Sequence, residues 1–121
     1  MSRKTTFRWI DRGIHHMRIE LDYYELRVEN KQPIYNLVHL GYIDVDSIDP
    51  EAIFAICNWS LWSNKKPDSL HADIKECSHG LRLSNPETGG VWLAKSVGWI
   101  NGQMKDIDAY VDANKHRLIW M

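Results

Sequence analysis

Residues 17–45 read MRIELDYYELRVENKQPIYNLVHLGYIDV, and whether this stretch is a helix or a pair of strands decides the fold. Met17, Ile19, Leu21 and Tyr23 alternate with Arg18, Glu20 and Asp22, the two-residue period of a strand with one buried face. From Tyr24 the phase inverts, because Tyr24, Leu26 and Val28 are apolar while Glu25, Arg27 and Glu29 are charged. A bulge at Tyr23 and Tyr24 would keep both halves facing one core. The competing helical register of Met17, Leu21, Tyr24 and Val28 leaves Ile19 and Leu26 off its stripe, so the strand fits better. ENKQP at 29–33 ends the element, and IYNLVHLGYIDV at 34–45 is a second strand rich in β-branched and aromatic residues. The two predict a long antiparallel hairpin.

Working outward, TTFRWID at 5–11 reads as a short strand before a DRG turn at 11–13. DSIDPEAIF at 46–54 is a helix start: Asp49 caps, Pro50 suits the first helical position, and Glu51 favours the positive end of the dipole. This helix is expected to run from Pro50 to about Ser63, closed by Asn64 and Pro67. A second, shorter helix is predicted in DSLHADIKECSHG at 68–80, capped by Ser69, with Leu70, Ile74 and Cys77 on one face. LRLSNPETGGVWLA at 81–94 reads as a hairpin, Asn101-Gly102 as a turn, 104–114 as a final helix and RLIWM at 117–121 as a last strand. The fold class that follows is α+β: one domain over 1–121, with an antiparallel sheet of about five strands and two or three helices packed on one face.

With 121 residues, 44% hydrophobic and 26% charged, the chain has room for one core and the composition of a folded globule. No apolar run is long enough for a signal peptide or a membrane span, so a cytoplasmic protein is the expectation. In that reducing compartment Cys57 and Cys77 are expected as free, mostly buried thiols. Net charge is −1, but it is segregated. Residues 1–18 hold five basic side chains and one acid, whereas residues 19–63 hold eight acids and two basic side chains. Such a block creates a local field that steers partners of opposite charge.

Six tryptophans are a large supply for a domain of this size, and Trp59 and Trp62 stand three residues apart just before Lys65 and Lys66. On a helical wheel Ile53, Phe54, Ile56, Cys57 and Leu61 share one arc, while Trp62 falls about 180° and Trp59 about 240° from Ile53. The two indoles therefore lie on the back of the expected helix. Burial by a covering hairpin or by 117–121 is one outcome of that placement; an exposed patch at the centre of a protein interface is the other.

Signals for chemistry are sparse. HADIKECSHG brings His71, Asp73, Cys77 and His79 into one segment, but it lacks the second closely spaced pair that a zinc site needs. Glu20 and Asp22 share a strand face, and Asp22 with Glu29 and Lys31 faintly resembles the D…E-x-K arrangement of metal-dependent nucleases. No nucleophile elbow or phosphate loop is present. Arg8, Trp9 and Arg12 interleave cation and aromatic in a manner suited to phosphate and base, so nucleic-acid binding stands as an alternative.

The expected function is a non-enzymatic, cofactor-free protein-binding module of the small inhibitor or immunity-protein type. It would occlude a larger target with a basic surface, such as a nucleic-acid-handling protein. Asp44, Asp46 and Asp49 would speed encounter, Trp59 and Trp62 would anchor, and Lys65 and Lys66 would rim the patch. A metal-dependent nuclease is the weaker enzymatic rival.

Overall fold

The computed structural model describes residues 17–95 and 98–113, without the side chains of Leu26 and Pro33. The strand expected at 5–11, the turn at 11–13 and the strand at 117–121 lie outside the described residues. Within them the chain runs β1 (Met17–Glu29), β2 (Gln32–Val45), α1 (Pro50–Cys57), a 3-10 turn (Trp59–Leu61), β3 (Leu70–Ala72), β4 (Leu81–Ser84), β5 (Gly90–Ala94), β6 (Trp99–Gln103) and α2 (Met104–Ala113). The strands form one antiparallel sheet in the order β3-β2-β1-β4-β5-β6. The α+β domain with an antiparallel sheet and two helices is thus the fold.

The long hairpin forms as the alternation predicts, closing at Asn30 and Lys31, both in the left-handed region at φ 51° and 65°. The bulge, however, is not at Tyr23 and Tyr24. β1 pairs without interruption with β4 from Glu20 to Tyr23, and the extra residue sits on β2, where Leu21 faces Gly41 but Asp22 faces His39. Because β1 stays regular, the phase inversion in its sequence turns its two halves to opposite faces of the sheet. Ile19 and Leu21 join Ile43, Leu70, Leu81 and Leu83 under α1, which contributes Ile53 and Cys57. Tyr24 instead joins Val91 and Leu93 under α2, which contributes Ile107 and Val111.

The expectation of all helices on one face is corrected accordingly. β4 is buried at every position, so both of its faces need a cover. One helix serves each. On the α2 side this places Arg82 in the interior, where its Nη1 donates to Tyr24 Oη at 3.0 Å and lies 3.5 Å from Asp108 of α2.

Three local expectations change. Residues 68–80 are not a helix: Leu70–Ala72 add to the sheet edge beside Ile43, Tyr42 and Gly41, with Leu70 and Ala72 buried and His71 outward. Gly41 permits this, since with φ 138° a Cβ there would meet His71 O at 2.2 Å. α1 stops at Cys57 rather than near Ser63, because Asn58 N bonds back to Phe54 O and Ala55 O and its side chain turns to Phe54 O. Asn101-Gly102 lies inside β6 rather than in a turn, where the two residues pair with Trp92 and Val91 of β5. The helix start is as predicted: Asp49 Oδ1 accepts from Ala52 N at 3.3 Å, with Pro50 in the first turn.

Two outcomes follow. Gly41→Ala should lose about 2 kcal/mol or more in urea denaturation, through strain at the positive φ and forced separation of β3 from β2. Burial raises the Tyr24 pKa above 10.0 against the lowering effect of the Arg82 charge, with Asp108 adding to the rise, so the folded protein holds that proton more tightly than the unfolded chain. Its contribution is complete below pH 10 and is lost as pH climbs toward the raised value. Tyr24→Phe should cost about 1 kcal/mol at neutral pH through the lost Arg82 bond, and the gap to wild type should narrow above pH 10.

Candidate interaction surface

Between α1 and β4 the chain makes an excursion over residues 58–79 that contains one short strand and is otherwise tied together by side chains. Asn58, nearly buried at the helix end, is its clasp: Oδ1 accepts from Cys77 N at 2.8 Å, and Nδ2 donates to Cys77 Sγ at 3.2 Å. Ser60 N and Oγ both donate to Lys75 O, at 3.3 and 3.2 Å. Trp59 packs on the α1-side core, and its Nε1 donates to Ile74 O at 2.7 Å. The expected twin anchor therefore separates, with Trp59 half-buried in the excursion itself.

Trp62 goes the other way. Its side is 59% exposed, and its Nε1 donates to Ala55 O at 3.0 Å, which lays the indole back along the outer side of α1. Leu61, placed by the helical wheel on the buried arc, is 69% exposed instead, because the α-helical phase ends four residues before it. The exposed apolar pair is thus Leu61 and Trp62. A shallow depression of about 300 Å³ adjoins the ring, lined by Ser63, Lys65, Lys66, Pro67 and Asp68. Lys66 Nζ reaches back to Ala72 O at 3.2 Å, and Lys65 extends into solvent 4.0 Å from Asp68.

Asp44, Asp46 and Asp49 come together at the other end of α1, around a depression of about 440 Å³ floored by Ala52, Ile53 and Ile56. Asp49 is engaged as the helix cap, and Asp44 lies 3.2 Å from His71 Nε2. Six residues of helix separate Asp49 from Ala55, so about 9 Å along the axis divides the acidic end from the carbonyl that holds Trp62.

The other sequence candidates are dispersed. Glu29 and Lys31 stand at the hairpin tip, seven and nine residues from Asp22, which is on the order of 23 Å or more along an extended strand. Asp22 and Glu20 face His39 instead, at 2.9 and 3.8 Å. His71 turns to Asp44 while Cys77 turns to Asn58, and among the described residues no three His, Cys, Asp or Glu side chains gather to hold a metal. Arg8, Trp9 and Arg12 lie outside the described residues. Among those described, no helix is long and apolar enough to cross a membrane.

One arrangement escaped the sequence reading. Tyr42, on the outward face of β2, makes two ring contacts, with the Arg18 guanidinium 3.7 Å from its ring centre and with His71 stacked at 4.8 Å. Alternation alone put Arg18 on that polar face; the stack with His71 needed the β3 pairing that the sequence had assigned to a helix.

Neither protein-family models, nor curated proteins, nor solved structures yield a match to this chain. Its site is therefore read from geometry.

Asn58→Ala removes the acceptor of Cys77 N and a bond to Phe54 O inside a nearly closed environment. It should destabilise the protein by about 2 kcal/mol in chemical denaturation, with hydrogen exchange rising first at the Cys77 amide.

Proposed function

We propose that the protein is a non-enzymatic binding module that occludes a larger protein target, in the manner of a small inhibitor or immunity protein. The observation that carries this reading is the indole of Trp62, exposed over more than half its surface yet held in one orientation by its bond to Ala55 O. An exposed aromatic that is already ordered surrenders little rotamer freedom on docking, which is the property of an anchor residue. Leu61 beside it enlarges the apolar centre. Asp44, Asp46 and Asp49, at the far end of the same helix, supply the acidic rim that steers a basic surface toward the indole. Trp59 supports this site from behind rather than touching the target.

The test is affinity capture with the full chain from the cell extract in which it is made, followed by titration of the recovered protein. Trp62→Ala should weaken binding by about 30-fold, the equivalent of about 2 kcal/mol, with an unchanged circular dichroism spectrum. Reversing Asp44 and Asp46 to Lys, with the Asp49 cap left in place, should slow association and flatten its salt dependence while leaving dissociation nearly unaltered. Equal recovery by wild type and a Leu61→Ser, Trp62→Ala double variant would remove the reading. So would recovery of nucleic acid alone, with binding that falls steeply as salt is added.

A further inference from the structure

Cys57 and Cys77 take no part in the docking surface, yet their placement is specific. Cys57 closes α1 and is fully buried; Cys77, twenty residues on, packs against the same apolar cluster. Asn58, the chain neighbour of Cys57, grips Cys77 at both its backbone N and its Sγ, so the two cysteines are held at the same point of the fold. Both are thiols. They differ in access: Cys77 lines an open depression of about 640 Å³ whose charged groups are Asp73, Lys75 and Glu76, with Tyr23, Leu40 and Ile74 beside them, whereas Cys57 is fully buried.

We propose that Cys77 and Cys57 form a modification site for peroxides, in which Cys77 is the attacked sulfur and Cys57 the resolving one. The Cys77 thiolate attacks one oxygen of hydrogen peroxide; an S–O bond forms, the O–O bond breaks, and the departing hydroxide takes up a proton to become water. Cys77 is then a sulfenic acid, its sulfur having surrendered two electrons to the peroxide. Cys57 sulfur next attacks Cys77 sulfur; the S–S bond forms, the S–O bond breaks, and the hydroxyl leaves as water with the Cys57 proton. Two thiols and one peroxide give one disulfide and two waters.

The division of roles follows from the surroundings of each sulfur. The Cys57 thiol donates toward Cys77, and this contact, with the Asn58 amide, draws the Cys77 pKa below the ordinary thiol value against the opposing effect of burial. The same contact, reinforced by burial, pushes the Cys57 pKa up and keeps it a protonated, unreactive thiol until its partner is oxidised. Of the two sulfurs, the one that lines an open depression and gives up its proton more readily is where a small polar oxidant reacts first. The disulfide would close a loop over 57–77 that carries Leu61 and Trp62, but the oxidation chemistry stands without the docking reading.

The experiment is performed on the full reduced chain, freed of reductant, treated with hydrogen peroxide and then blocked with iodoacetamide. The expected product is a monomer lighter by two hydrogens, without alkylation, which yields a proteolytic fragment joining Cys57 to Cys77 and a higher Tm than the reduced chain. Cys57→Ser should halt at the sulfenic acid, trapped on Cys77 by dimedone, while Cys77→Ser should react at Cys57 at least about tenfold more slowly. The rate for wild type should rise with pH to a midpoint below that of a free cysteine. Full alkylation of both cysteines after peroxide, a disulfide formed only between molecules, or faster reaction at Cys57 than at Cys77 would each overturn the assignment. The wild-type mass and fragment decide it even where a serine variant fails to fold.

Discussion

A strand sends successive side chains to opposite faces, so an apolar sequence that slips phase without a bulge must bury its two halves on opposite sides. That constraint, set in β1 between Leu21 and Tyr24, governs the architecture. Ile19 and Leu21 call for a cover on one face and Tyr24 for a cover on the other, and β4, lying next to β1, is consequently enclosed on both. The short α1 could not serve both faces, and α2 takes the second. Arg82 then falls inside the sheet's own second layer, where its Nη1 meets both the Tyr24 hydroxyl and Asp108. Its Nε remains without a protein partner, so this buried cation is a feature that the fold tolerates rather than one that stabilises it.

The displacement of the bulge onto β2 has its own consequence. Leu40 is the unmatched residue, and its carbonyl, released from the β1 ladder, accepts from Asp73 N at 3.0 Å. Gly41 follows with a backbone that no side chain blocks, and Ala72 settles against it. The irregularity that allows β1 to remain regular thus also creates the docking place for β3. From there the chain is committed to the excursion that bears Trp59, Trp62 and Cys77.

Much of this is legible in the sequence. The alternation in 17–28, the Asp49-Pro50 cap, the Asn85-to-Gly90 hairpin and the Ile107, Tyr110, Val111 spacing each express local preference and burial together, and each became the element it announced. Where the reading failed, the deciding partner was distant in sequence. Leu70, Ile74 and Cys77 are spaced as for a helix, yet Leu70 belongs to the sheet edge, while Ile74 and Cys77 answer to Trp59 and Asn58. Asn101-Gly102 carries a strong turn signal, but Asn101 pairs with Trp92 and Gly102 with Val91 of β5, and that ladder outweighs the turn preference. For the site, the wheel placed Trp62 off the main core, but it relied on a helix that had already ended, and so Leu61 was assigned to the wrong side.

The way the excursion is held bears on what it can do. An eight-residue helix is too short to persist alone, and α1 depends on Ile53 and Cys57 in the core and on the Asn58 clasp beyond its end. Beyond that point order comes from indole, hydroxyl, amide and ammonium groups bonding backbone carbonyls: Trp59 to Ile74, Ser60 to Lys75, Trp62 to Ala55, Lys66 to Ala72. Bonds of this kind fix a surface without filling an interior, and each contributes only about 1 kcal/mol. Placing two large rings there adds little burial for their size, least of all in Trp62. A segment so built positions side chains outward at modest cost in core stability, and its chemistry is accordingly concentrated in the groups it presents: a fixed indole at one end and a paired thiol at the other.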